Sequence, residues 1–524
     1  MTPDLVIRGG QVVDGTGAGP VAADVAIVGG AIAEIGRIDA PGARTLDAVG
    51  CLVTPGFIDI HSHSDFTLLV DPRAVSAVKQ GVTLEVIGNC GFGCAPIDDP
   101  ALAMDNIYGA TDAVPLTWRS IAGYFDTLQA ARPAINVLTL VPNGQLRRAT
   151  VGVADRPATP DELGAMTRML EQGFDDGAFG FSTGLEYPAE VGVPESEATA
   201  LCRVVAKRGG LYATHTRDRD THAVEAIEEA LRTAEATGVR LQISHLAPRS
   251  GEAATERSIA LVERFRARGL DVAFDMHTRR FGTTMLSAML PPWATGDGPT
   301  ALAGHLGSRD SRARMKSFRS ILSGVDDWER VVLLDNKLFP QYARRSLADV
   351  ARERGQDAYD AAYDILAGYG ARVREPMVII HCYSEALQRA AFGHALCMAG
   401  SDATTLAPDG PLAGAVFHGA YSWASWFFRF MVRETGILSP AEAVRRLTGL
   451  PARTLGLADR GILKRGARAD VAVFDAACFG ETATTFEPNQ LAEGMRHVVV
   501  NGAITLADGQ LTGERAGTVI RRAH

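Results

Sequence analysis

Cysteine is scarce in these 524 residues: there are seven, at positions 51, 90, 94, 202, 382, 397 and 478, an odd number without a framework spacing. That excludes a disulfide-stapled scaffold and points to reduced thiols, so a cytoplasmic location is expected. No run of about eighteen apolar residues occurs, which argues against a membrane-spanning helix. The opening Met1-Thr2-Pro3-Asp4-Leu5 has no basic stretch leading into an apolar one. Basic residues are in deficit too. Lys+Arg number 52 against 61 Asp+Glu, the net charge is -9, and no arginine stripe appears, so neither nucleic acid nor a membrane surface is expected as a partner. What remains is an ordinary globular composition, 46% hydrophobic and 22% charged, in a chain long enough for a large barrel and a smaller unit.

The two ends of the chain share a texture of short alternating apolar runs and Gly-rich turns. Asp4 to Arg8, Gln11 to Asp14, Ala23 to Val28 and Ala31 to Ile35 read as strands, and Gly466 to Asp475, Arg496 to Leu506 and Gln510 to Ile520 read as hairpins. One composite β-sandwich over 1–54 and 455–524 is expected. Between them, 55–454 alternates apolar runs with amphipathic helical stretches, the pattern of an α/β (β/α)8 barrel. Eight strands are predicted: Gly56 to His61, Thr83 to Ile87, Ile135 to Leu140, Ala178 to Ser182, Leu211 to His215, Arg240 to His245, Asp271 to Met276 and Cys397 to Asp402. The stretch from about 286 to 380 is too long for a simple crossover. It reads as a subdomain inserted after strand seven and overhanging the barrel mouth, with helical segments at Arg309 to Ser320 and Ser346 to Ala367.

Ionisable residues at the carboxyl ends of barrel strands are the ones that carry chemistry. Here those ends hold His61 and His63, Cys90, His215, His245 and Asp402. Side chains two apart on a strand share a face, so His61 and His63 can converge on one ion, for which neutral imidazole and thiolate are suited ligands. Cys90 and Cys94 have no second pair to complete a structural zinc. Cys94 reads as an inert thiol, and His222, His277, His381, His394 and His418 as structural, with His277 the closest to a strand end.

Taken together, Gly56-Phe57-Ile58-Asp59-Ile60-His61-Ser62-His63, Gly88-Asn89-Cys90-Gly91, Gly180-Phe181-Ser182-Thr183-Gly184-Leu185-Glu186-Tyr187-Pro188, Thr214-His215-Thr216-Arg217, Ile243-Ser244-His245 and Gly400-Ser401-Asp402 resemble the amidohydrolase superfamily, and within it the D-aminoacylase group. The resemblance implies zinc, one or two ions. It places Cys90, His215 and His245 on the tighter ion and His61, His63 and Asp402 on a weaker neighbour, with Cys90 able to bridge. It implies hydrolysis of a linear amide, an N-acyl-D-amino acid giving a carboxylate and the free D-amino acid, by water that the metal activates and Asp402 deprotonates. A cyclic-amide hydrolase, an amidase for a xenobiotic N-acyl compound, and an inactive scaffold are the alternatives. The segment Ala178-Phe179-Gly180-Phe181-Ser182 lacks the strand-four lysine of the cyclic-amide enzymes.

Four neighbours bear on the substrate, a small and anionic amide on this reading. Tyr187 either donates to the substrate carbonyl or packs with its hydroxyl exposed. Arg217 either follows the family motif towards substrate or supports a carboxylate. Relatives carry a lysine where this chain has Ala247, and a Tyr-Pro-Tyr run where it has His277-Thr278-Arg279-Arg280. Arg279 or Arg280 is therefore expected to grip a substrate carboxylate, the alternative being a solvent-facing pair.

Overall fold

The computed structural model describes residues 2–111, 113–152, 154–296, 298–324 and 327–523. Eight parallel strands follow one another around a barrel: Phe57–Asp59, Val82–Ile87, Asn136–Pro142, Gly180–Gly184, Leu211–His215, Arg240–Ile243, Val272–His277 and Cys397–Gly400. A parallel bridge between Ser62 and Ala403 brings the eighth back to the first. Each lies within two residues of its predicted bounds.

Two apolar layers make these runs strands. Ile58, Leu84, Val86, Leu138, Leu140, Leu211, Ala213 and Met398 pack together inside, against Leu450, Ala452 and Leu455 of helix Gly449–Leu455. Alternate residues such as Phe57, Val137, Phe181, Tyr212 and Phe274 join the outer core with the surrounding helices. Polar side chains are thereby left to the carboxyl ends.

Strands from both termini hydrogen-bond into one nine-stranded sheet with its own apolar core, joined where Leu52–Pro55 pairs antiparallel with Val471–Phe474. Two expectations are corrected there. The first two short strands are a single one, Leu5–Val12, because Gly9 forms a bulge at a φ of 75° instead of a turn. The hairpin expected to reach Ile520 stops at Leu511, and the tail docks on the third barrel strand instead. Val137 N donates to Thr518 O at 3.0 Å and Ile520 N to Val137 O at 2.8 Å, so the tail's backbone is satisfied by the barrel.

The insertion after the seventh strand is built on a small sheet of Phe281–Met285, Met377–His381 and Val331–Leu333. The single helix expected from Ser346 to Ala367 is two, Leu347–Arg354 and Ala358–Tyr369. Gly355 ends the first in the left-handed region, and the Asp357 carboxylate caps the second by accepting from Asp360 N. The insertion stands over the loop after the fifth strand, where Arg319 donates to Thr221 at 2.6 Å. Tyr383, at its exit, accepts a hydrogen bond from Arg219 at 2.9 Å. Among the described residues no helix is long and apolar enough to cross a membrane.

Candidate metal centre

The carboxyl ends of five strands bring six donors to one place. His61, Cys90, His245, His63 and His215 are buried, and only the Asp402 side chain keeps an opening, 21% exposed. His61 Nε2 lies 3.1 Å from Cys90 Sγ and 3.5 Å from Asp402 Oδ1, while His63 Nε2 lies 3.3 Å from the same oxygen. Cys90 Sγ is 3.7 Å from His245 Nε2. Two sets of donors result, His61 with Cys90 and His245, and His61 with His63 and Asp402, each within 4.8 Å. Cys90, His245 and Asp402 reach this place with φ of 52°, 33° and 45°, a left-handed backbone that costs about 1–3 kcal/mol at a non-glycine residue. Such strain persists where the surrounding structure over-determines it, which is common at functional sites.

His61 belongs to both sets, and His215 lies outside both. The cause is local. His215 Nε2 is 2.8 Å from Glu186 Oε2, and its ring, 4.6 Å from that of His245, keeps a buried Nδ1 without a partner. Burial pulls His215 down to about 4, Glu186 opposing only in part. Burial would raise Glu186, but Arg249 and His215 together hold it down to about 2. On the other side Asp275, a carboxylate inside an apolar strand, sits 3.0 Å from His61 Nδ1 and accepts from His245 N at 2.8 Å. Zinc fits this donor set: four imidazoles, of which His61 and His215 have one nitrogen held by a carboxylate, with a thiol and a carboxylate beside them. The Nδ1 atoms of His63, His215 and His245 are buried without a hydrogen-bond partner.

Above the donors stands an aromatic wall. Tyr108 is 4.6 Å from the His63 ring, Phe92 is 4.5 Å from Tyr108 and 4.7 Å from Tyr187, and Tyr187 is 4.6 Å from His215. Tyr187 is therefore at the site, and Phe92, Tyr108, Glu186 and Asp275 are neighbours that sequence reading left unassigned. Asp275 alone carried a signal, a charge in a buried strand. His277, whose Nδ1 is buried and unpartnered, stands 6.4 Å from His245 and 5.0 Å from Tyr383. Cys94 lies in the outer apolar core.

The arginines are arranged differently from one another. Arg217 is bidentate to Glu229, at 3.0 and 2.8 Å, on the helix that follows. Arg280 is half exposed and pairs with Glu385 at 2.7 Å. Arg279 is buried and turns to Asp402: Nη2 donates to Oδ2 at 2.8 Å and to the Asp402 carbonyl at 3.0 Å, and Nη1 to the carbonyls of Ser401 and His418. With Arg279, His63 and His61 around it, Asp402 titrates well below the usual carboxylate range despite burial.

A model of the amidohydrolase family matches residues 44–307 and 383–506. The chain belongs to the amidohydrolase family. Enzymes of this kind are metal-dependent hydrolases of carbon–nitrogen bonds outside peptides. The amidohydrolase is 34% identical to an N-acyl-D-glutamate deacylase of Alcaligenes xylosoxydans xylosoxydans, over 99% of this chain and 96% of the relative. It is 32% identical to a D-aminoacylase of the same organism, over 99% and 98%. Among solved structures it is similar to an N-acyl-D-glutamate deacylase from Bordetella bronchiseptica bound to zinc and a phosphonate inhibitor, with a TM-score of 0.81, 31% identity, and coverage of 99% and 100%. A D-aminoacylase with a binuclear metal centre gives a TM-score of 0.81 at 29% identity, with the same coverage.

Proposed function

We propose that this amidohydrolase uses zinc to hydrolyse linear N-acyl-D-amino acids, releasing a carboxylate and the free D-amino acid. The observation that carries the reading is the double donor cluster at the barrel mouth with Asp402 as its single partly open member. The full-length likeness to N-acyl-D-glutamate deacylase and D-aminoacylase supports the substrate class. Bound at this cluster, held by Cys90, His215 and His245 with His61, His63 and Asp402 beside them, zinc acts as a Lewis acid towards water and the amide carbonyl.

The chain's own residues supply the rest. Asp402 takes the proton from the attacking water and returns it to the leaving amine. Arg279 holds that carboxylate in place through its side chain and three neighbouring carbonyls. Tyr187 stands over the site from the loop after the fourth strand, where its hydroxyl donates to the substrate carbonyl. Arg280 receives a substrate carboxylate, because it is half exposed and Arg279 is committed to Asp402; the cavity of about 410 Å³ that it lines with Arg279, His381 and His418 includes none of the metal donors.

The test is turnover of paired N-acetyl-D- and N-acetyl-L-amino acids with acidic, basic and apolar side chains, with zinc measured on the same preparation. Turnover of the D-series that disappears in Asp402→Ala supports the proposal. Zinc-loaded protein inert towards both series refutes the substrate class.

A further inference from the structure

We infer that Glu186 is the positioning residue for His215: it accepts the Nε2 hydrogen of that imidazole and so leaves Nδ1 as the nitrogen offered to a metal beside Cys90 and His245. The inference rests on the zinc reading above and adds a residue to it.

An imidazole has one hydrogen and one lone pair in its neutral form, and whichever nitrogen donates outward decides which one can ligate. In this chain the outward partner of His215 is Glu186 at 2.8 Å, and the nitrogen left over, Nδ1, is buried with nothing to bond. A buried polar atom without a partner is costly, on the order of 1–3 kcal/mol, and a ring held so as to expose one needs a reason. A ligand-binding role supplies it, because that ring is 4.6 Å from His245, whose Nε2 is itself 3.7 Å from Cys90 Sγ. The same logic already operates on the opposite wall with the ring reversed. Asp275 holds His61 Nδ1 at 3.0 Å, and His61 Nε2 faces Cys90 and Asp402.

Glu186 is placed firmly enough to impose a choice. Arg249 donates to both of its oxygens, Nη1 at 3.2 Å to Oε2 and Nη2 to Oε1. Asp220 in turn holds Arg249 from the loop after the fifth strand, at 2.7 Å. Arg249 N donates to Arg219 O at 2.7 Å, and Arg219 reaches the His245 carbonyl at 2.6 Å. The carboxylate that orients His215 is therefore tied by charge-assisted bonds to the segment carrying His245.

The experiment is zinc affinity, measured by competition with a chromophoric chelator on the full chain stripped of metal, for wild type, Glu186→Ala, Glu186→Gln and Glu186→Asp. Cobalt(II) absorption spectra of the same proteins report the ligand set directly. Removal of such a partner typically weakens metal binding about 10- to 100-fold, which is the loss expected for Glu186→Ala together with an altered cobalt spectrum. Glu186→Gln should stay within about threefold of wild type, because an amide oxygen accepts the same hydrogen. Glu186→Asp, one methylene too short, should behave like Ala. Circular dichroism of the stripped proteins checks folding, and if Ala does not fold, the Gln and Asp pair decides. Wild-type affinity and spectrum in Glu186→Ala, or an equal loss in Gln and Ala, would overturn the inference alone, the latter marking Glu186 as a ligand or a charge. Absence of zinc binding by wild type would overturn the metal reading with it.

Discussion

Nη2 of Arg279 lies 2.8 Å from Oδ2 of Asp402, and its two Nη atoms also donate to the carbonyls of Ser401, Asp402 and His418, which leaves the buried Nε without a partner. A guanidinium so engaged orients the carboxylate opposite the metal donors and is not free to bind a second one. Arg279→Ala should therefore lower kcat by about 100-fold, the scale on which misplacing a reacting group by about 1 Å acts, with a small change in KM. Arg279→Lys keeps the charge but loses the fork, and should recover little. Steady-state kinetics on an N-acyl-D-amino acid settle it, and a rise in KM at constant kcat would return Arg279 to substrate binding.

Arg280 makes the converse case. Its side chain is half exposed, and its ion pair with Glu385 is a surface one, of little value to stability. Arg280→Ala should raise KM for an anionic substrate about tenfold and leave kcat and the unfolding midpoint nearly unchanged. An unaltered KM would leave the 410 Å³ cavity beside it without a role in this reaction.

The eight barrel strands were legible because a parallel strand buried on both faces reads as a short apolar run between Gly or Pro signals, and the donors because they interrupt that pattern at the run's end. Partners were not legible. Glu186 meets a histidine 29 residues away, Arg279 an aspartate 123 away, and His61 an aspartate 214 away. No local period encodes such contacts, which depend on which strand ends lie across the mouth. For the same reason the two arginines, adjacent in sequence, looked equivalent, although one faces Asp402 and the other the surface. Gly355 divided an expected helix because apolar spacing continues across it while the backbone does not.

Cys90 supplies the thiolate of the proposed tight site, and its left-handed backbone leaves little freedom for a substitute. Cys90→Ala should copurify with substantially less zinc than wild type and lose most of its activity, while retaining its fold, since the barrel core does not involve this side chain. Metal analysis alongside circular dichroism checks this. Full zinc content in the variant would mean that histidines and Asp402 suffice.

Gly184, at the end of the fourth strand, keeps that cysteine in place by having no side chain. A Cβ there would stand 2.0 Å from the Cys90 carbonyl oxygen and 2.7 Å from the Tyr187 ring, and backbone cannot yield as a flexible side chain would. Gly184→Ala should destabilise by about 1–3 kcal/mol, the usual cost of overpacking, and weaken zinc binding as well. Denaturant unfolding with parallel metal titration would show both losses. A variant as stable as wild type would mean that the Cys90 loop can shift.

Glu190 provides a test by pH. It is buried, accepts from Gly184 N at 3.0 Å and from Asn143 Nδ2 at 2.7 Å, and burial pushes it up from 4.5 to about 7. The folded state thus binds this proton more tightly than the unfolded chain does. Its contribution is fully present below about 4.5 and is lost as pH rises through about 7. In Glu190→Gln the group no longer titrates, and its amide can still accept from Gly184 while Asn143 rotates to offer its buried, unpartnered Oδ1. Wild-type stability minus that of Glu190→Gln should therefore fall between pH 4 and 8, by up to about 3 kcal/mol for a shift of this size. Denaturant midpoints across that range measure the slope. A difference independent of pH would show that Glu190 is ionised in the folded enzyme as in the unfolded chain, with Asn143 and the Gly184 amide sufficient to hold the charge.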